Sequence, residues 1–205
     1  MSIIGLSGLA GSGKDTVCSI LIDIFLEKHN ILFVRKAYAD ILKNKIMLDF
    51  DLSYEQLYGD LKSVPDIRYP KKSSNISVPD FTLYEDGRIK EESFWTPREI
   101  MQYIGTDCYK AIDKNFWIKA LYKDYTEDSN WIIADCRFED EVDAVINRDG
   151  IHIHIDRDIT LVNNHISENK KLINYKVDYV INNNMPMDNL IQELVLLSDE
   201  LIKNM

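Results

Sequence analysis

The chain has 205 residues, 45% of them hydrophobic and 28% charged, enough for one α/β domain with a substantial core and short for two. A formal net charge of -10 with no basic stripe (Lys71-Lys72 is the densest basic pair in mid-chain, and acidic residues flank it) argues against a polymeric nucleic acid as partner. Cys18, Cys108 and Cys136 are too few and too widely spaced for a disulfide scaffold or a zinc site and fit a reducing compartment, and no apolar run approaches the ~20 residues of a membrane helix.

Residues 2–7 form a short apolar run that ends at a glycine-rich turn, with no basic n-region, so neither a signal peptide nor a membrane partner is expected. Helical spacing follows, with Val17, Ile20, Leu21, Ile24 and Phe25 on one face. Residues 31–34 read as a second buried strand, and a helix is predicted over about 40–48. Residues 51–93 differ in texture: Pro65, Pro70, Pro79, the Ser73-Ser74-Asn75 cluster and an Asp86-Gly87 turn mark an insertion with a short hairpin, expected on the substrate side of the sheet. Thr96-Pro97-Arg98-Glu99 is a helix start, with Thr96 as cap, Pro97 in the first position and Glu99 as the capping-box partner. A buried strand over 131–134 ends on Asp135, and a helix over about 139–148 stops at Gly150. Strands at 151–155 and 177–181 and an amphipathic helix over 187–202 complete the chain. This alternation predicts an α/β fold with a central parallel five-stranded sheet and helices on both faces, in one domain over 1–205.

The strongest chemical signal is Gly8-Leu9-Ala10-Gly11-Ser12-Gly13-Lys14-Asp15-Thr16 between the first strand and the first helix. Gly8, Gly11, Ser12 and Gly13 let backbone N–H groups converge on a phosphate, the helix adds its positive end, and Lys14 can reach the β- and γ-phosphates of ATP. Asp15 stands where Ser or Thr usually holds Mg2+; a carboxylate can do so directly or through water, and Thr16 supplies a hydroxyl one residue later. Asp135, ending a hydrophobic strand, occupies a Walker-B-type position for metal or water; a helix-capping role is the alternative. Arg98, Arg137 and Arg157 stand at strand ends or a helix start, where ligands of such sheets bind and where phosphoryl transfer needs cations. No general base is apparent. None is required if the acceptor is a phosphate monoester, whose second pKa near ~6 leaves the attacking oxygen largely ionised at neutral pH.

Several segments together resemble the deoxynucleoside monophosphate kinases of tailed phages and other viruses. They are Leu6-Ser7-Gly8 through Lys14-Asp15-Thr16, Tyr38-Ala39-Asp40-Ile41-Leu42-Lys43, the run from Pro97 through Gly105-Thr106-Asp107 followed by Phe116-Trp117, Asp135-Cys136-Arg137-Phe138 with Glu141, His165-Ile166-Ser167-Glu168, and Asp178-Tyr179-Val180-Ile181-Asn182. The resemblance implies a three-layer α/β fold of the P-loop kinase type, nucleoside-monophosphate-kinase-like with a lid at about 157–171, and transfer from ATP to a deoxynucleoside monophosphate for DNA precursor synthesis. It implies that Arg98, Gln102 and Asp107 line the acceptor site with Lys43 nearby, and that Arg137 and Arg157, with Lys14, stabilise the transferring phosphate. His165 and Glu168 share the motif without an assigned role. A cytoplasmic location is expected, in the host cytoplasm for a viral protein; monomer and homodimer both stay open. Two other readings compete. Animal phosphomevalonate kinases share the Gly-Lys-Asp loop, but Gln102 and Gly105-Thr106-Asp107 favour a nucleotide acceptor. A nucleotide-binding switch would leave the acceptor-side arginines without purpose, and no Asn-Lys-x-Asp guanine signature is present.

Overall fold

The computed structural model describes residues 2–71, 93–158 and 170–204. The chain divides into two units, Met1–Ala39 with Ile118–Met205, and Asp40–Trp117. In chain order the helices are α1 (Lys14–His29), α2 (Tyr38–Phe50), α3 (Tyr54–Tyr58), α4 (Pro97–Gln102), α5 (Lys110–Ile112), α6 (Phe116–Tyr122), α7 (Glu139–Ile146) and α8 (Met187–Asn204).

The first unit is built on five strands, β1 (Ile3–Ser7), β2 (Val34–Lys36), β3 (Trp131–Cys136), β4 (Ile151–Asp156) and β5 (Tyr179–Asn182), in the order β2-β3-β1-β4-β5. Every pairing is parallel, as the alternation of strands and helices requires. The period-two pleat sends Ile4, Leu6, Ile132, Ala134, Ile153 and Ile155 to one face, where they pack with Val17, Leu21 and Phe25 of α1 and Leu190, Leu194 and Leu201 of α8. A Cβ on Gly5 would lie 3.0 Å from Val145, so the opposite face is covered by α7 at close range. The result is the expected three-layer α/β fold of the P-loop kinase type.

The second strand departs from the sequence expectation. It runs over Val34–Lys36 rather than 31–34, and Val34 is 44% exposed because β2 is the sheet edge. The apolar stretch that suggested a buried strand belongs to the turn before it: Phe33 is buried and stacks on Phe25, and Ile31 packs on the core behind α1.

The second unit has its own core of Ile46, Leu52, Leu57 and Ile100. Thr96 caps α4 as expected: its hydroxyl accepts from Glu99 N–H at 3.2 Å, and Glu99 accepts from Thr96 N–H at 2.8 Å. Beyond Gln102 the helix widens into a π-helix over Tyr103–Tyr109, a form that concentrates at functional positions. The Trp117 indole donates to the Gly105 carbonyl at 2.7 Å inside that segment. Within residues 51–93, the described ends meet in an antiparallel bridge, Pro70 to Phe94, flanked by Lys71 N–H to Ser93 O and Trp95 N–H to Tyr69 O. Asp66 anchors this base; it accepts from Arg68 and Gln56, and the Arg68 guanidinium holds its carboxyl down at about 2. The hairpin expected around Asp86-Gly87 lies outside the described residues, as do His165, Glu168 and nearly all of the expected lid. Among the described residues no helix is long and apolar enough to cross a membrane.

Candidate active site

The wholly buried β1 delivers the chain into a loop that has glycine at positive φ at its two ends. Gly8 has φ 144°, and a Cβ there would lie 2.4 Å from the Ile155 carbonyl oxygen. Gly13 has φ 92°, and a Cβ there would lie 2.2 Å from the Asn183 side-chain nitrogen. Between them Ser12 N–H donates to Leu9 O at 3.1 Å, closing the turn. Lys14 Nζ donates to the carbonyls of Gly8 at 2.8 Å and Leu9 at 2.7 Å, which brings its ammonium back over the loop. The Ser12 hydroxyl is buried with no partner among the described residues. Gly13, the N-cap residue of α1, has no side chain with which to close the first N–H groups of the helix. An unpaired hydroxyl, uncapped helix N–H groups and a lysine head at one concave turn make a site chemically suited to a phosphate.

Asp15 and Thr16, in the first turn of α1, are both exposed. Asp15 pairs with Arg35 of β2 at 2.9 Å, a partner twenty positions away that no local pattern signals. Asp135 is 8% exposed, and its two carboxylate oxygens accept the N–H groups of Tyr38 and Ala39, each at 2.8 Å. The carboxylate therefore caps the start of α2 from the neighbouring strand, where the helix dipole favours negative charge. A carboxylate oxygen carries two lone pairs, so accepting one N–H does not by itself bar a metal or its water. Among the described residues no group of three or more His, Cys, Asp or Glu is gathered. Mg2+ does not require one, since it keeps waters and takes phosphate oxygens beside one or two carboxylates.

Arg137 follows β3 and is exposed at its side chain, while its backbone N–H donates to the buried Glu141 at 2.8 Å, fixing the turn into α7. Arg157 follows β4; its guanidinium reaches the Gly11 carbonyl at 3.4 Å. Arg157 also lines a cleft of about 340 Å³ with Gly13, Thr16, Asn183, Asn184 and Met185. Thus the glycine-rich loop, Thr16 and Arg157 converge on one concavity, and Asp135 and Arg137 end the neighbouring strand at the same sheet edge.

Behind the loop lies a buried polar chain. Ser7 Oγ contacts His154 Nδ1 at 2.8 Å and His152 Nε2 at 2.7 Å, and His152 Nδ1 lies 3.0 Å from the Tyr175 carbonyl. A carbonyl only accepts, so His152 Nδ1 carries hydrogen, and its Nε2 accepts from the Ser7 hydroxyl. Ser7 then accepts from His154 Nδ1–H. Burial lowers the pKa of both histidines, which fits this neutral, ordered chain. Burial also pushes Cys18 up to about 12 and Cys136 well above its ordinary range, so neither is a thiolate near neutrality.

In the second unit, Arg98 and Gln102 stand four residues apart on one face of α4. The Arg98 Nε is buried without a partner among the described residues. Lys43 of α2 sits 3.9 Å over the Tyr58 ring, whose hydroxyl donates to Asp40 at 3.4 Å. Asp107 is exposed within the π-helix. α2 and α4 share the core of Ile46, Leu57 and Ile100, which orders the helices that bear Lys43, Arg98 and Gln102.

Two comparisons with known proteins bear on this geometry. The family model described as deoxynucleotide monophosphate kinase matches residues 39–194. A protein of Acanthamoeba polyphaga mimivirus that carries the provisional name deoxynucleotide monophosphate kinase is 30% identical over 212 residues, covering 95% of each chain.

Proposed function

The chain belongs to the deoxynucleotide monophosphate kinase family, and we propose that it transfers the γ-phosphate of ATP to a deoxynucleoside monophosphate, giving the diphosphate for DNA precursor synthesis. The observation that carries this reading is the loop from Gly8 to Thr16, with its unpartnered Ser12 hydroxyl and its lysine at an uncapped helix start. In the proposed reaction, loop N–H groups and Lys14 hold the β- and γ-phosphates, and Arg157 and Arg137 offset negative charge on the transferring group. Mg2+ would be held by Asp15, Thr16 and Asp135, in part through water, and would supply charge neutralisation on the phosphate oxygens. Arg98, whose buried Nε has no partner among the described residues, is assigned to the acceptor phosphate, with Lys43, Gln102 and Asp107 on the acceptor nucleotide. The acceptor's phosphate is already ionised near neutrality, so positioning and charge neutralisation suffice without a general base. Residues 51–93 are assigned as a substrate-side insertion and residues 157–171 as a lid within a single kinase domain.

The test is ADP release with Mg-ATP, offering each deoxynucleoside monophosphate in turn and phosphomevalonate beside them. Turnover with one or more deoxynucleotides, abolished in a folded Lys14→Ala variant, is the expected result. Turnover with phosphomevalonate alone, or ATP hydrolysis indifferent to every acceptor, overturns the assignment.

A further inference from the structure

We infer that Asn183, backed by Asn184, is a positioning residue that sets the phosphate loop and Arg157 in one frame; this rests on the reading that the loop binds donor phosphates. The three asparagines that end β5 and follow it form a self-locked turn: Asn182 Oδ1 accepts from Asn184 N–H at 3.0 Å and from Asn184 Nδ2 at 2.9 Å. From that turn, Asn183 Nδ2 donates to the Ser12 carbonyl at 2.7 Å. Asn183 N–H donates to Asp156 O at 2.8 Å, and Asn184 Oδ1 accepts from Asp158 N–H at 2.9 Å. Asp156 and Asp158 are the two neighbours of Arg157 in the chain. One short turn therefore holds the phosphate loop on one side and both flanks of Arg157 on the other.

The bond to Ser12 has a directional consequence. The Ser12 carbonyl and the Gly13 N–H belong to one planar trans peptide, so they point in opposite directions. Drawing the carbonyl onto Asn183 therefore fixes the direction of the Gly13 N–H, one of the loop donors in that reading, and keeps that peptide from flipping. Gly13 is matched to this contact, because a Cβ there would lie 2.2 Å from Asn183 Nδ2. The same turn lines the cleft beside Thr16 and Arg157, so its effect falls on the donor nucleotide.

The experiment uses the full-length chain and two variants, Asn183→Ala and the near-isosteric Asn183→Asp, which sets a carboxylate oxygen against the Ser12 carbonyl. Binding of Mg-ATP to the wild-type chain is measured first by calorimetry; no binding there fails the loop reading, and the inference with it. Given binding, loss of one neutral hydrogen bond predicts a donor KM raised about threefold to tenfold in Asn183→Ala. A larger rise is expected in Asn183→Asp, with lowered kcat in both and the acceptor KM within about twofold of wild type. A structural role alone would lower the thermal midpoint while leaving donor KM and kcat unchanged below it. That outcome, or an equal rise in donor and acceptor KM, overturns the assignment.

Discussion

Replacing Ser7 by alanine removes a single oxygen, yet among the described residues that oxygen links two buried histidines. Ser7 and His152 have no solvent exposure and His154 has 5%, so water cannot substitute for the lost hydroxyl. His152 Nδ1 must keep its hydrogen for the Tyr175 carbonyl at 3.0 Å, which leaves Nε2 an unpaired acceptor. His154 keeps one ring nitrogen facing the gap in either tautomer, so a proton shift does not rescue it. Leaving a buried donor or acceptor unpaired costs about 1–3 kcal/mol each. The two together predict a loss of about 2–6 kcal/mol, which for a chain of this size lowers the thermal midpoint by roughly 4–24 °C. Urea and thermal unfolding at pH 7.5, followed by circular dichroism, measure it. A loss below about 0.5 kcal/mol, the ordinary range of a harmless surface change, would refute the tautomer chain and the claim that Ser7 satisfies both rings.

The same histidines give the wild-type chain an acid-side instability. Burial, the largest cause, lowers both pKa values from about 6.5, so the unfolded chain binds protons that the folded one refuses. Their stabilisation is complete above about pH 6.5 and is lost as pH falls through that value toward the lower folded pKa values; urea midpoints from pH 7.5 to 5 should fall, and a flat profile would count against it. Gly8→Ala and Gly13→Ala should differ. The Gly8 Cβ meets a backbone carbonyl at 2.4 Å, which cannot yield, whereas the Gly13 Cβ meets the end of a side chain at 2.2 Å. Gly13→Ala is therefore expected to fold with a left-handed strain of about 1–2 kcal/mol and impaired Mg-ATP binding, and Gly8→Ala to lose markedly more by the same unfolding assay. Asp135→Asn keeps one acceptor oxygen for the start of α2 but turns an NH2 group on the second N–H. Without Mg2+ it should cost about 1–2 kcal/mol of stability, the range of a lost cap, and unchanged urea stability would remove the capping role.

Much of the frame was legible because its signals are local. The strand-glycine-helix run, the Thr96 box and the alternation of apolar stretches are each decided within a few residues, and each appears where the local chemistry places it. What escaped is long-range. Asp135 accepts N–H groups from Tyr38 and Ala39, about a hundred positions away in the chain, and Asn183 reaches back across the whole first unit to Ser12. The pattern Ile151-His152-Ile153-His154-Ile155 shows two polar residues on one strand face, but the partner that makes them tolerable, Ser7, is given by strand order alone. The π-helix over Tyr103–Tyr109 has no composition signature either, because it is made by packing, here the Trp117 indole on Gly105 O. The escaped contacts share a purpose. Gly8 lies against the Ile155 carbonyl, Ser12 is held by Asn183, and Ser7 is held by His152 and His154, so β4 and the turn after β5 hold the glycine-rich loop and the strand that leads into it. A loop that must present backbone N–H groups to a ligand cannot spend them on its own folding, and its rigidity has to come from neighbours bonded to its carbonyls and to the strand beneath it. The sequence motif therefore names the groups that meet the ligand, and the contacts that keep them in place belong to residues scattered along the rest of the sheet.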